Sequence, residues 1–119
     1  MKMKDEFRGG VAIISLEGKV IGGNDATMFH GKMHEYINNG FKKVVVNLGR
    51  VEWMSSVGMG MLITALAATK NNKGQMKIAN ITDRIESLLT ITRLMSIFDV
   101  YDSVDDAVAA FGNKAQVVG

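Results

Sequence analysis

A chain of 119 residues that is 47% hydrophobic and 22% charged can bury one core and is too short for two ordinary domains. Fourteen Lys and Arg against twelve Asp and Glu leave a formal charge of +2, with the basic residues scattered, so the concentrated cationic face that nucleic-acid phosphates require is not expected. The lack of cysteine excludes disulfides, thiol nucleophiles and zinc-finger spacings, and no run of about 18 apolar residues is present to cross a bilayer.

The charged opening Met1-Lys2-Met3-Lys4-Asp5-Glu6 leads into no apolar signal segment, so a cytoplasmic location is the expectation. Residues 3–8 are predicted to form an edge strand against Val11–Leu16, a nearly continuous apolar run between Gly9-Gly10 and Gly18. From Asn24, the apolar residues Ala26, Phe29, Met33 and Ile37 recur at helical steps. Asn24 can cap that helix, and Gly40 stands past its end. Lys43–Leu48 contains Val44-Val45-Val46 and is predicted to be a central strand covered on both faces.

A second helix fits Val57 to Asn71, with Met59, Leu62, Ile63 and Leu66 inward and Gly74 at its end; the strand Gln75–Ala79 follows. Thr82 or Asp83 can cap a third helix carrying Ile85, Leu88, Leu89 and Ile91, and Ile97-Phe98 suggests a short last strand. Ser103-Val104-Asp105-Asp106 has the form of a capping box. It opens a last helix that buries Ala107, Val108 and Phe111 and ends at Gly112, leaving residues 113–119 as a tail. Strands alternating with helices define an α/β chain, an antiparallel hairpin added to a parallel centre.

Loops leaving the carboxyl ends of strands converge on one edge of such a sheet, which directs attention to the segment joining the central strand to the second helix. It ends in Trp53-Met54-Ser55-Ser56-Val57-Gly58-Met59-Gly60. Ser55 or Ser56 can serve as an ordinary N-cap; equally, a phosphoryl group there would meet the unpaired N–H groups and positive dipole end of the helix. Gly58 and Gly60 each cost a helix about 1 kcal/mol relative to alanine, which points to close approach by another backbone, internal or from a partner. Trp53 fits either a buried anchor beneath the turn or an exposed interface aromatic. Arg50 and Glu52 read as surface charges.

Nucleophilic catalysis needs a base beside the serine, yet His30 and His34, the two histidines of the chain, both fall on the first helix. Neither Gly-x-Ser-x-Gly nor Gly-Lys-Ser/Thr occurs, so no catalytic residue, metal or cofactor is assigned. The pair His30/His34 lacks the acidic third ligand of a His-Glu-x-x-His site and reads as a solvated face. Of the nine methionines, Met33, Met59 and Met76 are assigned to the core, and Met28, Met54 and Met61 to a partner surface.

The stretch Val44 to Leu66, centred on Ser55-Ser56-Val57-Gly58-Met59-Gly60, resembles the core motif of STAS domains, the family of bacterial anti-sigma factor antagonists and of the cytoplasmic ends of sulfate transporters. Leu16-Glu17-Gly18-Lys19-Val20 and Phe98-Asp99-Val100-Tyr101-Asp102-Ser103-Val104-Asp105-Asp106-Ala107 extend the likeness over most of the chain. The resemblance implies a single compact domain over residues 1–112, with a mixed sheet of four to five strands and about four helices. It also implies a non-enzymatic switch that binds an anti-sigma serine kinase and so frees a sigma factor, acting as a monomer or weak dimer without nucleic acid or membrane.

In that family the motif is Asp-Ser-Ser or Asp-Ser-Ala before Gly-Leu-Gly. By resemblance the phosphoacceptor falls on Ser56, with Ser55 as second candidate, and the docking surface on Trp53 to Gly60. Two acids of the pattern are replaced here, one by Ser55 and one by Val20 or Ile21. The alternative of the same fold is a scaffold or sensor subunit that is never phosphorylated.

Overall fold

The computed structural model describes residues 1–118, with side chains described through residue 112. Five strands, β1 (Lys2–Arg8), β2 (Val11–Val20), β3 (Lys43–Met54), β4 (Gln75–Ala79) and β5 (Asp99–Tyr101), form one sheet in the order β1-β2-β3-β4-β5. β1 pairs antiparallel with β2, and every other pairing is parallel, as the hairpin-plus-parallel-centre pattern predicts. The helices are α1 (Asn24–Asn38), α2 (Ser56–Asn71), α3 (Asp83–Ile91) and α4 (Val104–Val118), with a short 3-10 turn at Met95–Ile97. Among the described residues, no helix is long and apolar enough to cross a membrane.

The pleat sorts the apolar strand residues by parity. Ala12, Ile14 and Leu16 of β2 share a face with Val44, Val46 and Leu48 of β3 and with Met76 and Ile78 of β4. They pack there with Phe29 and Met33 of α1, Met59 and Leu62 of α2, and Ile85 and Leu89 of α3. The opposite face holds Val11, Ile13, Val45 and Ala79 under Ala107 and Phe111 of α4. Lys77 is buried on that second face, where its ammonium donates to Asp99 (3.2 Å) and to the Tyr101 hydroxyl (3.2 Å) and lies over the Phe111 ring.

Two strands run further than their apolar cores predict, and this is what builds the site. β2 continues through Gly18 to Val20 and β3 continues through Leu48 to Met54, because their ends pair as Glu17↔Arg50, Gly18↔Val51, Lys19↔Trp53 and Val20↔Met54. Register shifts after Ser15 and Gly18 absorb the extra residues of β3, and Gly18 takes the left-handed φ of 88° that such a bulge favours. Residues 49–53, past the end of the apolar run, are therefore strand, held by backbone ladder bonds that side-chain patterning does not report.

Other departures are local. Gly23 precedes α1 as its N-cap, Asn24 is the first helical residue, and Tyr36 takes the inward place expected of Ile37. Ile63 lies on the rim of α2, 36% exposed. Ile91, two residues past Leu89 and so on the opposite side of α3, is 80% exposed. Ile97 belongs to the 3-10 turn, and the last strand begins at Asp99. Ser103 caps α4 by accepting from Asp106 N–H at 3.0 Å, and that helix continues through Gly112 to Val118. The side chains of 113–118 and all of residue 119, on which the expected tail falls, lie outside the described residues.

Candidate functional site

β3 hands the chain to α2 through a single residue, Ser55, whose extended backbone (φ −80°, ψ 169°) makes it the N-cap. Its Oγ accepts a hydrogen bond from Gly58 N–H (3.0 Å) and donates one to the Ile21 carbonyl (2.6 Å), while its own N–H donates to the Val20 carbonyl (2.9 Å). Ser55 is half-buried and fully engaged. Ser56, the first residue of α2, is exposed, and its hydroxyl has no side-chain partner among the described residues. The choice between the two serines as cap is thus decided in favour of Ser55, and the hydroxyl open to solvent is that of Ser56.

The first turn of α2 carries no acidic residue, and the N–H groups of Ser56 and Val57 are its open donors. An anion attached at Ser56 Oγ would sit at the positive end of the helix dipole with those donors at hand. The exposed large apolar residues of the turn and its neighbouring connection are Trp53 (40% exposed), Val57 (62%) and, between β2 and α1, Ile21 (58%), whose carbonyl is held by Ser55. The resemblance named Ile21 only as one of two positions where an acid is replaced, and the Gly22-Gly23 pair beside it carried no assignment. A Cβ on Gly22, at φ 111°, would collide with the Val57 side chain.

The two glycines of the motif part company. Gly58 is buried, and a Cβ there would lie 2.7 Å from the Val20 carbonyl oxygen and 3.0 Å from Met54 Cγ, so its close approach is internal. A Cβ on Gly60 would meet nothing within 4 Å. Met54 and Met59 lie in the core with Gly58 and support the turn from below. Placing Met54 and Met61 on a partner surface is therefore corrected, because both point beneath the sheet–helix layer; Met28 is exposed. Met33, Met59 and Met76 are core, and Arg50 and Glu52 are exposed.

His30 and His34 lie on α1. Burial beside Phe29, and then the neighbouring charge of His34, lower the His30 pKa from its ordinary 6.5. Among the described residues, no group of three His, Cys, Asp or Glu is placed to hold a metal. A cleft lined by Gly49, Asn80, Thr82, Glu86, Met95 and Asp102 opens at the carboxyl ends of β4 and β5, beside the middle of β3, and neither serine lines it.

With this geometry in place, comparison with known families decides the relationship: the STAS domain family matches residues 2–107. The chain belongs to the STAS domain family. BtrV of Bordetella bronchiseptica, named as an anti-sigma factor antagonist, is 25% identical over 111 residues, 93% of this chain and 95% of BtrV. A Thermotoga maritima protein described as an anti-sigma factor antagonist has the same fold, with a TM-score of 0.82 at 20% identity, covering 91% of this STAS domain and 92% of that chain. The phosphorylated form of SpoIIAA from Bacillus superposes with a TM-score of 0.71 at 15% identity, covering 92% and 99% of the two chains. The mixed five-stranded sheet with four helices is the architecture that the resemblance implied.

Proposed function

We propose that this STAS domain is an anti-sigma factor antagonist, a protein–protein switch that docks on an anti-sigma serine kinase through the Ser56 turn and is released when Ser56 is phosphorylated. The observation that carries the reading is the division between the serines. Ser56 presents a hydroxyl without a partner among the described residues at the exposed start of α2, and Ser55 has its proton and a lone pair committed. In the transfer, a bond forms between Ser56 Oγ and the γ-phosphorus of ATP, the bond to ADP breaks, and the hydroxyl proton passes to a base of the kinase. The names of BtrV and of the Thermotoga protein support the antagonist role, and the phosphorylated SpoIIAA supports modification as part of the family's repertoire.

A phosphate carries roughly −1.5 to −2 charges at neutral pH. At Ser56 the helix end accommodates it, so the fold survives, but it adjoins the exposed Val57 in a turn that also carries the exposed Trp53, where a docked partner would have to desolvate it. Binding is lost without refolding. Ser55, standing where the motif carries an acid, favours the second reading, a scaffold or sensor subunit that docks unmodified.

Incubation with the cognate kinase and Mg-ATP, followed by intact-mass measurement, separates the two readings. One added phosphoryl group on the wild type and none on Ser56→Ala is expected. A wild type that binds but gains no mass establishes the scaffold reading. In titrations, Ser56→Ala should bind like wild type and Ser56→Asp about tenfold or more weakly, ~1.4 kcal/mol; equal affinities would remove the switch.

A further inference from the structure

The hydroxyl of Ser55 does something that the carboxylate of the family motif cannot. Its proton goes to the Ile21 carbonyl at 2.6 Å, while its lone pair takes the Gly58 N–H at 3.0 Å. An ionised aspartate could accept from Gly58, but it has no proton for Ile21 and would set one oxygen against another.

The carbonyl it holds belongs to a connection whose two glycines are tied, among the described residues, to α1 alone, their carbonyls accepting from Asp25 N–H (3.2 Å) and Thr27 N–H (3.2 Å). Gly22 and Gly23 take φ values of 111° and 62°, conformations open to glycine, and glycine is the residue with most backbone freedom to lose. Two contacts tie Ile21 down: Asp25 Oδ2 accepts its N–H at 3.4 Å, and Ser55 Oγ donates to its carbonyl. The Ser55 bond is the shorter, and it is the one that reaches across to α2. Gly22 then lies against Val57, which brings the connection that carries Ile21 up to the first turn of α2, with Ile21 and Val57 58% and 62% exposed.

The geometry points to Ser55 as a positioning residue: its hydroxyl fastens the Ile21–Gly23 connection to the first turn of α2, so that Ile21 and Val57 stand as one apolar pair that the kinase grips beside Ser56. This rests on the proposed docking of a kinase at that turn. Restoring the motif's acid here would free the connection and weaken docking, the reverse of what the family pattern suggests. Ser55 also keeps its proton away from phosphoryl transfer, because giving it up would release Ile21.

Substitution of Ser55 by a set of side chains separates capping from fastening. Asn and Asp cap helices about equally well, yet only Asn can also donate to Ile21; Thr keeps the hydroxyl, and Ala removes both bonds. In the free protein, 15N order parameters of Gly22 and Gly23 should stay near ~0.85 in Ser55→Thr and Ser55→Asn and fall towards ~0.6 or below in Ser55→Asp and Ser55→Ala. With the kinase and Mg-ATP, Ser55→Asp and Ser55→Ala should raise KM roughly tenfold, the loss of one hydrogen bond, and leave kcat within about twofold.

Equal order parameters for the Asp and Asn variants overturn the fastening role, and a loosened connection with unchanged KM overturns its part in docking. A wild type that neither binds nor is modified sinks the proposed function instead. The order parameters of the free protein still judge Ser55 in that case.

Discussion

Gly58 and Gly60 stand two residues apart in the same helical turn and serve opposite sides of it. Gly58 faces inward, where the Val20 carbonyl leaves no room for a methyl group; Gly60 faces open space. The rest of the turn divides the same way: Met54 and Met59 are inside, and Ser56 and Val57 are outside. One short motif thus holds a rigid inner half, packed on the ends of β2 and β3, and an exposed outer half whose Val57 lies against Gly22. Rigidity on one side is what allows the other to be presented to a partner in a fixed shape.

The division is most severely tested at Met54. Although it adjoins the serines, it is 4% exposed and belongs to the core, so Met54→Ala should cost about 2–5 kcal/mol in a denaturant melt. Val57→Ala, three residues on, should change stability by no more than about 0.5 kcal/mol and weaken kinase binding instead. A Met54→Ala protein of wild-type stability would erase the inner half. Gly58→Ala comes next. The added methyl has to displace the Val20 backbone, an overpacking cost of about 1–3 kcal/mol, against which helix propensity returns up to about 1 kcal/mol. A lowered thermal midpoint is expected, and a raised one would show that β2 yields easily.

Much of this turn was legible in the sequence, for reasons that differ by residue. Val44-Val45-Val46 and the helical spacing of Phe29 and Met33 carry periodicity, so the alternation of strands and helices, the parallel centre and the position of the serine turn could be read directly. Ser55 and Ser56 were equivalent on paper, since either can cap a helix. What separates them is where β3 stops. Along the ladder Gly18↔Val51 and Val20↔Met54 that carries β3 to Met54, register shifts interrupt the alternation, so that the buried residues Leu48, Val51 and Met54 fall three apart rather than two. The same blind spot hid the contact that Ile21 makes. Its carbonyl meets Ser55 across 34 residues, through a backbone atom that every residue type possesses. Met54 and Met61 were misplaced because thioethers suit cores and grooves alike; the pairing of β3 turns Met54 inward, and the phase of α2 does the same for Met61.

Gly60 sharpens the comparison with the smallest expected change in stability. With nothing within 4 Å of a Cβ there, Gly60→Ala should stabilise α2, by up to about 1 kcal/mol, read as a raised denaturant midpoint. A glycine that the fold does not need, kept at a cost to its own helix, is accounted for if another molecule's backbone comes close. The same variant should then bind the kinase less tightly while folding more firmly. If Gly60→Ala gains stability and binds as well as wild type, the glycine has no docking role, and the outer half of the turn shrinks to Ser56, Val57 and Ile21.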